Sequence, residues 1–498
     1  MSNPLKKLAG QTMIYGLGTI LPRFLNYFLT PILTYAFSAA EYGINGQLFA
    51  IISFLNIIFL FGMETTFFNF YSKNENKHEV YNNAILMLLV TSAIMGSVLI
   101  LFSDSIAQSL STPSVTYLPQ FVVWCVIIIV SDAIMAVPFA KMRSDNQPLK
   151  FSLIKIINVL INAGLTVFFV LVCKPAYEHG EGNLFSSMYN PEIGIGYCFL
   201  SMAIANGVTL LLLSKQFISV KLNLNKELML QMLKYTWPLI ILGLAGMVNE
   251  TLDRIILKEL MLDKDAAQIA LGIYSGCYKI AILMTIFIQA FRFAVEPFFF
   301  SQAADKNSKK LYAIIMKYFV IFCSFLFLGT MMNLEWIQYL VDEEYRAGLN
   351  VVPILLMANL CLGVVYNLSI WYKLSQKTGY GAIIAIIGAV VTIVINVAFV
   401  PQYGFTACAW ATLAAYGTMM VVSYFLGQKQ FPIKYNIRAI SVFVIIALGF
   451  YGLSLTYQGL DNVILKLLLN NLFVILFAWL FYKLEFSNLK NVKNQLQS

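Results

Sequence analysis

Charge is what this sequence has least of. Only 11% of its 498 residues are Asp, Glu, Lys or Arg, where soluble domains carry about 25%. Histidine occurs twice, as His78 and His179, both in polar loops, so a histidine-based catalytic or metal centre is not expected. The seven cysteines, Cys125, Cys173, Cys198, Cys277, Cys323, Cys361 and Cys408, are scattered through apolar runs with no CxxC or other metal spacing. Their odd number and wide separation point to free thiols rather than a disulfide framework. No cleavable signal is legible: the apolar run after MSNPLKK is too long, and no small-residue cleavage site follows it. No polar stretch is long enough for an extramembrane domain, the longest outer one being 174–191. These shortages exclude a soluble enzyme, a disordered chain and a nucleic-acid-binding protein, and they call for no cofactor.

What is abundant is apolar length. Hydrophobic residues make up 59% of the chain and the mean hydropathy is +0.76. About 20 apolar residues cross a bilayer as a helix. Fourteen such segments are legible, near 11–37, 44–69, 83–103, 118–140, 150–173, 193–214, 236–260, 270–297, 311–334, 351–372, 380–400, 405–427, 439–457 and 463–482. Runs of this length fit helices rather than barrel strands. The expected fold is an all-α integral membrane bundle. Lys and Arg orient it. With the N-terminus cytoplasmic, the inner segments, counting Lys317, hold 23 of these residues and the outer segments, counting Lys258, five, the bias of cytoplasmic loops. Both termini are then cytoplasmic, and the net charge of +9 follows from the loops.

Near-equal offsets suggest an internal repeat. Arg23 and Arg254 lie 231 apart, Gly43 and Gly272 lie 229 apart, and Asn162 and Asn396 lie 234 apart. Six spans per unit is an even number, so the repeat is parallel, with its axis along the membrane normal and a cavity between two lobes. The expected division is an N-terminal six-helix lobe (1–214), a cytoplasmic amphipathic connector (215–235), a C-terminal six-helix lobe (236–427) and two added helices with a tail (428–498).

Ionisable side chains within spans are expensive, and they mark cavities or partners. The basic ones are Arg23, Lys155, Arg254, Lys279 and Arg292; the acidic ones are Glu64, Asp132, Glu250, Asp253 and Glu296. Glu250 with Arg254, and Arg292 with Glu296, stand four apart and can neutralise on one helix face. Arg23, Lys155 and Lys279 have no such local partner. Arg23 also follows Pro22 in a span that carries Pro31, a pattern that kinks helices. One reading is a cavity that attracts an anion, with the Arg fork suited to pyrophosphate. The other is a set of interhelical salt bridges, and Lys155 is near enough to the inner face to snorkel. Asn249 and Asp253 share a face of the seventh span, and Thr392 and Asn396 share a face of the eleventh. With Glu250, these groups are candidates for Na⁺ or proton coupling, or for plain interhelical hydrogen bonds. The many Phe and Tyr residues read as lipid-facing or interfacial packing.

Several local patterns carry a resemblance. The run from Asn396 through Val400-Pro401-Gln402-Tyr403-Gly404-Phe405 to Ala407-Cys408-Ala409-Trp410-Ala411-Thr412 resembles the "LN…iPxyGxxGAaxAT" signature of the polysaccharide transporters. That family belongs to the multidrug/oligosaccharidyl-lipid/polysaccharide (MOP) exporter superfamily and includes the Wzx-type O-antigen flippases. Thr406 and Cys408 stand where the family usually has Gly and Ala. Gln289-Ala290-Phe291-Arg292-Phe293 with Glu296-Pro297-Phe298-Phe299, Phe61-Gly62-Met63-Glu64-Thr65, Glu41-Tyr42-Gly43, and Asp253-Arg254 with Leu257 are similar to other parts of it. The resemblance implies a MATE-like fold and a flippase in a bacterial inner membrane. Such a protein carries an undecaprenyl-pyrophosphate-linked oligosaccharide from inner to outer leaflet by alternating access, coupled to Na⁺ or H⁺. Its partners would be the lipid-linked oligosaccharide, membrane lipids and polysaccharide polymerase or assembly proteins. By position, the cavity cations of related lipid II flippases map onto Arg23, Arg254 and Arg292. Sodium sites of those relatives lie among spans seven, ten and eleven, with no ligand assigned here. A multidrug–cation antiporter, which Asp132 and Glu64 would suit, and a lipid II flippase are the alternatives of the same fold. A membrane-embedded polymerase, ligase or O-acyltransferase needs surface acid/base groups, and only His179 in HGEGN is offered outside.

Overall fold

A computed structural model describes residues 4–180, 182–218, 220, 224–301, 308–457, 459 and 462–497. Within them, the side chains of 4–15, 17, 19, 294, 297, 300, 301 and 486–497 are not described. Lys221 and Lys306 of the charge tally therefore lie outside the described residues, as do the side chains of Lys6, Lys7, Lys490 and Lys493 and of Pro297 of the resemblance. All regular elements among the described residues are helical. The first helix, α1 (Pro4–Ala36), has 33 residues, the length of a span. Thirteen further segments are long and apolar enough to cross a membrane. They are α2 (Ala39–Lys73), α3 (Lys77–Leu101), α4 (Pro119–Ser144), α5 (Pro148–Glu178), α6 (Gly194–Leu212), α7 (Lys226–Leu260), α8 (Lys264–Ser301), α9 (Ser308–Met332), α10 (Glu343–Leu374), α11 (Gly379–Tyr403), α12 (Phe405–Gln430), α13 (Ile437–Leu455) and α14 (Val463–Gln497).

Local chemistry sets the boundaries. Ser38 opens α2 with a capping box: the Glu41 amide donates to its hydroxyl, and its own amide donates to the Glu41 carboxylate at 2.9 Å. Gly404, at φ +54°, turns α11 into α12 in a single residue, a conformation that a side chain would strain. The connector expected over 215–235 is shorter than that. Asn225 caps α7 by accepting from the amides of Glu227 and Leu228 at 3.0 and 3.1 Å. The run KELMLQMLK then continues without a breaker into the span, so residues 226–235 are the first turns of α7.

Helices α1–α6 pack on one another through α1–α5, α5–α6, α3–α4, α4–α6 and α2–α4. Helices α7–α12 do so through α7–α11, α11–α12, α10–α12 and α8–α10, while α13 and α14 lie on α9. A buried ion pair pins α14: Lys317 Nζ donates to Glu485 Oε2 at 2.5 Å, and Tyr318 donates to the same oxygen at 3.2 Å. Lys317, read from the sequence as an inner-loop charge, is thus a buried residue of α9.

The two groups of six meet chiefly along α2 and α8, with α7 and α1 beside them. Gly43 lies so close to the Gln268 carbonyl, and Gly272 to the Ala39 carbonyl, that a Cβ at either glycine would collide. Gln268 follows Ala39 by 229 residues, and Gly272 follows Gly43 by the same 229. Contact of i with j and of j with i is the mark of a two-fold axis. Gly46 rests against Ser275, again 229 residues on, so this pair sits at the axis. Small residues at a helix crossing let backbones approach where lipid supplies no hydrophobic drive. Gly272→Val is expected to destabilise the fold by about 1–3 kcal/mol through overpacking, read as a lower melting temperature of the detergent-purified protein. Gly449→Val, where a Cβ meets nothing within 4 Å, is the control. Equal melting temperatures would show that the helices do not approach this closely.

Candidate functional site

The α2–α8 crossing lies at the end of the bundle that carries few lysines, and polar side chains fill the seam around it. Lys258, counted from the sequence as an outer-segment lysine, is only 3% exposed. Its ammonium donates to Gln47 Oε1 at 2.8 Å and to the Leu110 carbonyl, and it lies 4.4 Å from the Tyr117 ring centroid. Tyr117 donates to the same Gln47 oxygen at 2.6 Å, and Gln268 donates to Tyr117 Oη and to the Ala40 carbonyl, both at 3.1 Å. Burial holds the Tyr117 hydroxyl above the ordinary phenol pKa, so it stays a protonated donor. Tyr345 donates to the Phe37 carbonyl at 2.8 Å, and the Ala39 amide donates to Glu344 at 3.0 Å. Both lobes supply partners to this seam, and it closes the lysine-poor end.

Toward the lysine-rich end the interface holds exposed charged side chains, although α1 still meets α8 at Gly16 and Phe293 and α2 meets α7 at Gly62 and Leu239. Arg23, Glu250 and Arg292 are exposed although each lies well inside its helix. Arg23 of α1 donates to Gln289 of α8 and lies within electrostatic reach of Glu250, Tyr366 and Arg292. The Arg292 guanidinium sits 4.9 Å from the Tyr366 ring centroid and 3.4 Å from Glu296. Glu296 also accepts from Lys373. Four helices, α1, α7, α8 and α10, thus bring Arg23, Glu250, Arg292 and Tyr366 together.

Arg254 is placed differently from the expectation. It forms no ion pair with Glu250 among the described residues; its guanidinium stacks 4.4 Å from the Tyr278 ring centroid, and its Nε has no partner. Its neighbour Asp253 accepts from the Arg254 amide at 2.9 Å and from Tyr274 at 2.5 Å. Lys279, one residue beyond Tyr278, lies within electrostatic reach of Arg254 and borders a cavity of about 170 Å³. Lys155 belongs to another network. It sits 4.2 Å from the Phe139 ring centroid, and its charged neighbours are Asp132, Glu64 and Arg143. There Asn206 donates to Asp132 at 3.0 Å, and Arg143 pairs with Glu64.

The neutral oxygen groups converge between α7 and α11. Thr392 donates to Asn249 Oδ1 at 3.1 Å, Asn249 donates to the Ala385 carbonyl at 2.9 Å, and Asn396 donates to the Thr392 carbonyl at 2.8 Å. The Asn396 Oδ1 is buried without a partner. Asp253, 4% exposed, turns instead to α8 and Tyr274, and Glu250 takes no part in this group. Tyr274, Tyr278, Tyr366 and Tyr416, which read from the sequence as lipid-facing or packing residues, instead contact the candidate site residues. Tyr416 donates to the Asn249 carbonyl at 3.2 Å, and the other three contact Asp253, Arg254 and Arg292. The 4-residue spacing of Tyr274 and Tyr278, beside Lys279, is the sequence signal that marks a polar face on α8.

Residues 8–303, more than half of the chain, match the sequence model of a family described as polysaccharide biosynthesis protein. The chain belongs to that family. No curated protein matches the sequence significantly. Among solved structures, this polysaccharide biosynthesis protein is similar to the lipid II flippase MurJ in an inward closed conformation. The TM-score is 0.71 at 14% identity, over 95% of this chain and 99% of that one. It is also similar to an inward-facing multidrug resistance MATE family transporter of the MOP superfamily, with a TM-score of 0.62 at 12% identity over 87% and 98%. The Vibrio cholerae MATE transporter VcmN, solved as a point mutant, gives 0.58 at 14% over 85% and 96%. The family member is a multi-pass membrane protein with the fold these transporters share. Its lysine-poor seam generates a prediction. Lys258→Met removes a hydrogen-bonded charge, an interaction contributing about 1.5–3 kcal/mol. A cysteine introduced by Asn45→Cys, in the wall of the cavity that Lys279 borders, should then react about tenfold faster with an impermeant maleimide. Unchanged labelling would leave closure to the helix crossing alone.

Proposed function

We propose that the protein carries an undecaprenyl-pyrophosphate-linked oligosaccharide from the inner to the outer leaflet of a bacterial inner membrane by alternating access, making no covalent change in its cargo. The grouping of Arg23, Arg254, Lys279 and Arg292 on facing helices carries this reading. Among the described residues only Arg292 of the four forms an ion pair. Such cations are expensive in a membrane unless a ligand uses them. The lysine-rich end is cytoplasmic in this reading, by the charge bias of the loops, and both termini lie there. The exposed Arg23, Glu250 and Arg292 then lie toward the leaflet where the cargo is loaded, with the polar seam at the opposite end. Arg23 and Arg292 offer planar forks to pyrophosphate, and the Tyr366 ring and Glu296 hold the Arg292 guanidinium in place. Lys155 serves its own lobe's network.

Coupling to Na⁺ or H⁺ is assigned to the α7–α11 group. The unpartnered Asn396 oxygen, with Asn249 and Thr392, offers neutral ligands, and Asp253 adjoins them as the group able to hold a proton. Asp253→Asn and Asn396→Ala should each slow transport by about tenfold, the scale of one charged hydrogen bond. Each should also weaken its dependence on the ion gradient; transport with unchanged ion dependence would return both residues to structure. The cargo assignment is tested at Arg23. Arg23→Ala should accumulate the lipid-linked precursor and cut surface glycan by at least about tenfold, while Arg23→Lys should keep part of the activity because charge survives without the fork. Normal glycan export at normal protein abundance in Arg23→Ala would overturn the reading.

A further inference from the structure

Lys279 stands apart from the other interface cations. Among the described residues, the only charged group within its electrostatic reach is Arg254, another cation. It is also the C-terminal lobe's single contribution to the 170 Å³ cavity, whose other walls come from α1, α2, α5 and α6. Those walls carry no second charge. They offer the amides of Asn26, Asn45 and Asn162, the Thr30 hydroxyl, and the rings of Tyr42 and Phe49. Asn162 Oδ1 is a buried acceptor with no donor.

This chemistry does not suit pyrophosphate. A pyrophosphate has no donor for Asn162 Oδ1, and the cavity holds no guanidinium fork to grip it. A sugar ring fits better: its hydroxyls donate to amide oxygens and accept from amide nitrogens, and its C–H face lies against Tyr42 or Phe49. The volume corresponds to roughly five or six waters, enough for a single sugar ring but too little for a chain of them. Position agrees. Thr30 lies seven residues beyond Arg23 on α1, about 10 Å along the helix, on the side where a glycan would extend from a pyrophosphate held at Arg23. An ammonium without a counter-charge in such a cavity calls for an anion on the sugar itself.

We propose that this cavity is a sugar subsite and that its lysine selects a glycan whose lipid-proximal part carries a carboxylate-bearing sugar. The proposal rests on the flippase reading above. It is tested with the purified full chain in proteoliposomes, using two probes: a polyprenyl-pyrophosphate-linked disaccharide ending in a uronic acid, and its neutral hexose counterpart. The wild type should move the acidic probe about tenfold faster, the scale of one charge-assisted hydrogen bond. In Lys279→Met the ratio of the two rates should fall to about one, and in Lys279→Arg most of the preference should persist. Equal rates for both probes in the wild type would overturn the selection while leaving the flippase reading intact. So would a Lys279→Met variant that slows both probes by the same factor, because its amine would then be serving the shared pyrophosphate. Failure of folded wild type to move either probe would instead remove the flippase reading and the subsite with it.

Discussion

The close crossing of α2 over α8 governs the arrangement of everything else. In lipid, helices gain little from hiding apolar surface, so association depends on contact and on interhelical hydrogen bonds. Gly43, Gly46 and Gly272 allow backbone-to-backbone approach at one end of the lobe interface. Once the helices meet there, Gln47, Lys258 and Gln268 have nowhere to point except into the seam, and each finds a partner in it. Farther along the interface Arg23, Glu250 and Arg292 remain exposed, although α1 and α8 still meet there.

Aromatic rings do much of the work that carboxylates do in soluble proteins. Arg254 lies on Tyr278, Arg292 on Tyr366, Lys155 on Phe139 and Lys258 on Tyr117. A ring face attracts a cation but carries no net charge, so the cation keeps its pull on an incoming anion. A carboxylate in the same place would compete with an anionic ligand. Where the chain does use a tight buried pair, at Lys317 and Glu485, the pair joins α9 to the added helix α14, away from the lobe interface.

Asp253 and its neighbour Arg254 show how one helix turn divides two tasks. Asp253 is taken by Tyr274 of α8, while Arg254 turns to Tyr278 four residues further along the same helix. Asn249, one turn earlier on α7, faces α11 instead and meets Thr392. The seventh helix therefore connects the cation group to the oxygen group, and a movement of α7 against α8 and α11 would be felt at both.

The spans, the all-helical class and the glycine offset were legible in the sequence because each depends on length, hydropathy or spacing along one chain. So was the Arg292–Glu296 pair, since residues four apart on a helix meet whatever surrounds them. The partners across helices were not legible. Glu250 and Arg254 have the same spacing, yet Arg254 goes to Tyr278, because the rotation of α7 against α8 offers a ring face at shorter range. Lys258 and Lys317 read as loop lysines, since charge near a span end normally reaches water. Only the seam and the α9–α14 contact supply the buried acceptors that hold them inside. The tyrosines of α8, α10 and α12 read as packing because a hydroxyl's partner lies on another helix. Spacing within a helix decides which residues share a face, and only the register between helices decides what that face meets.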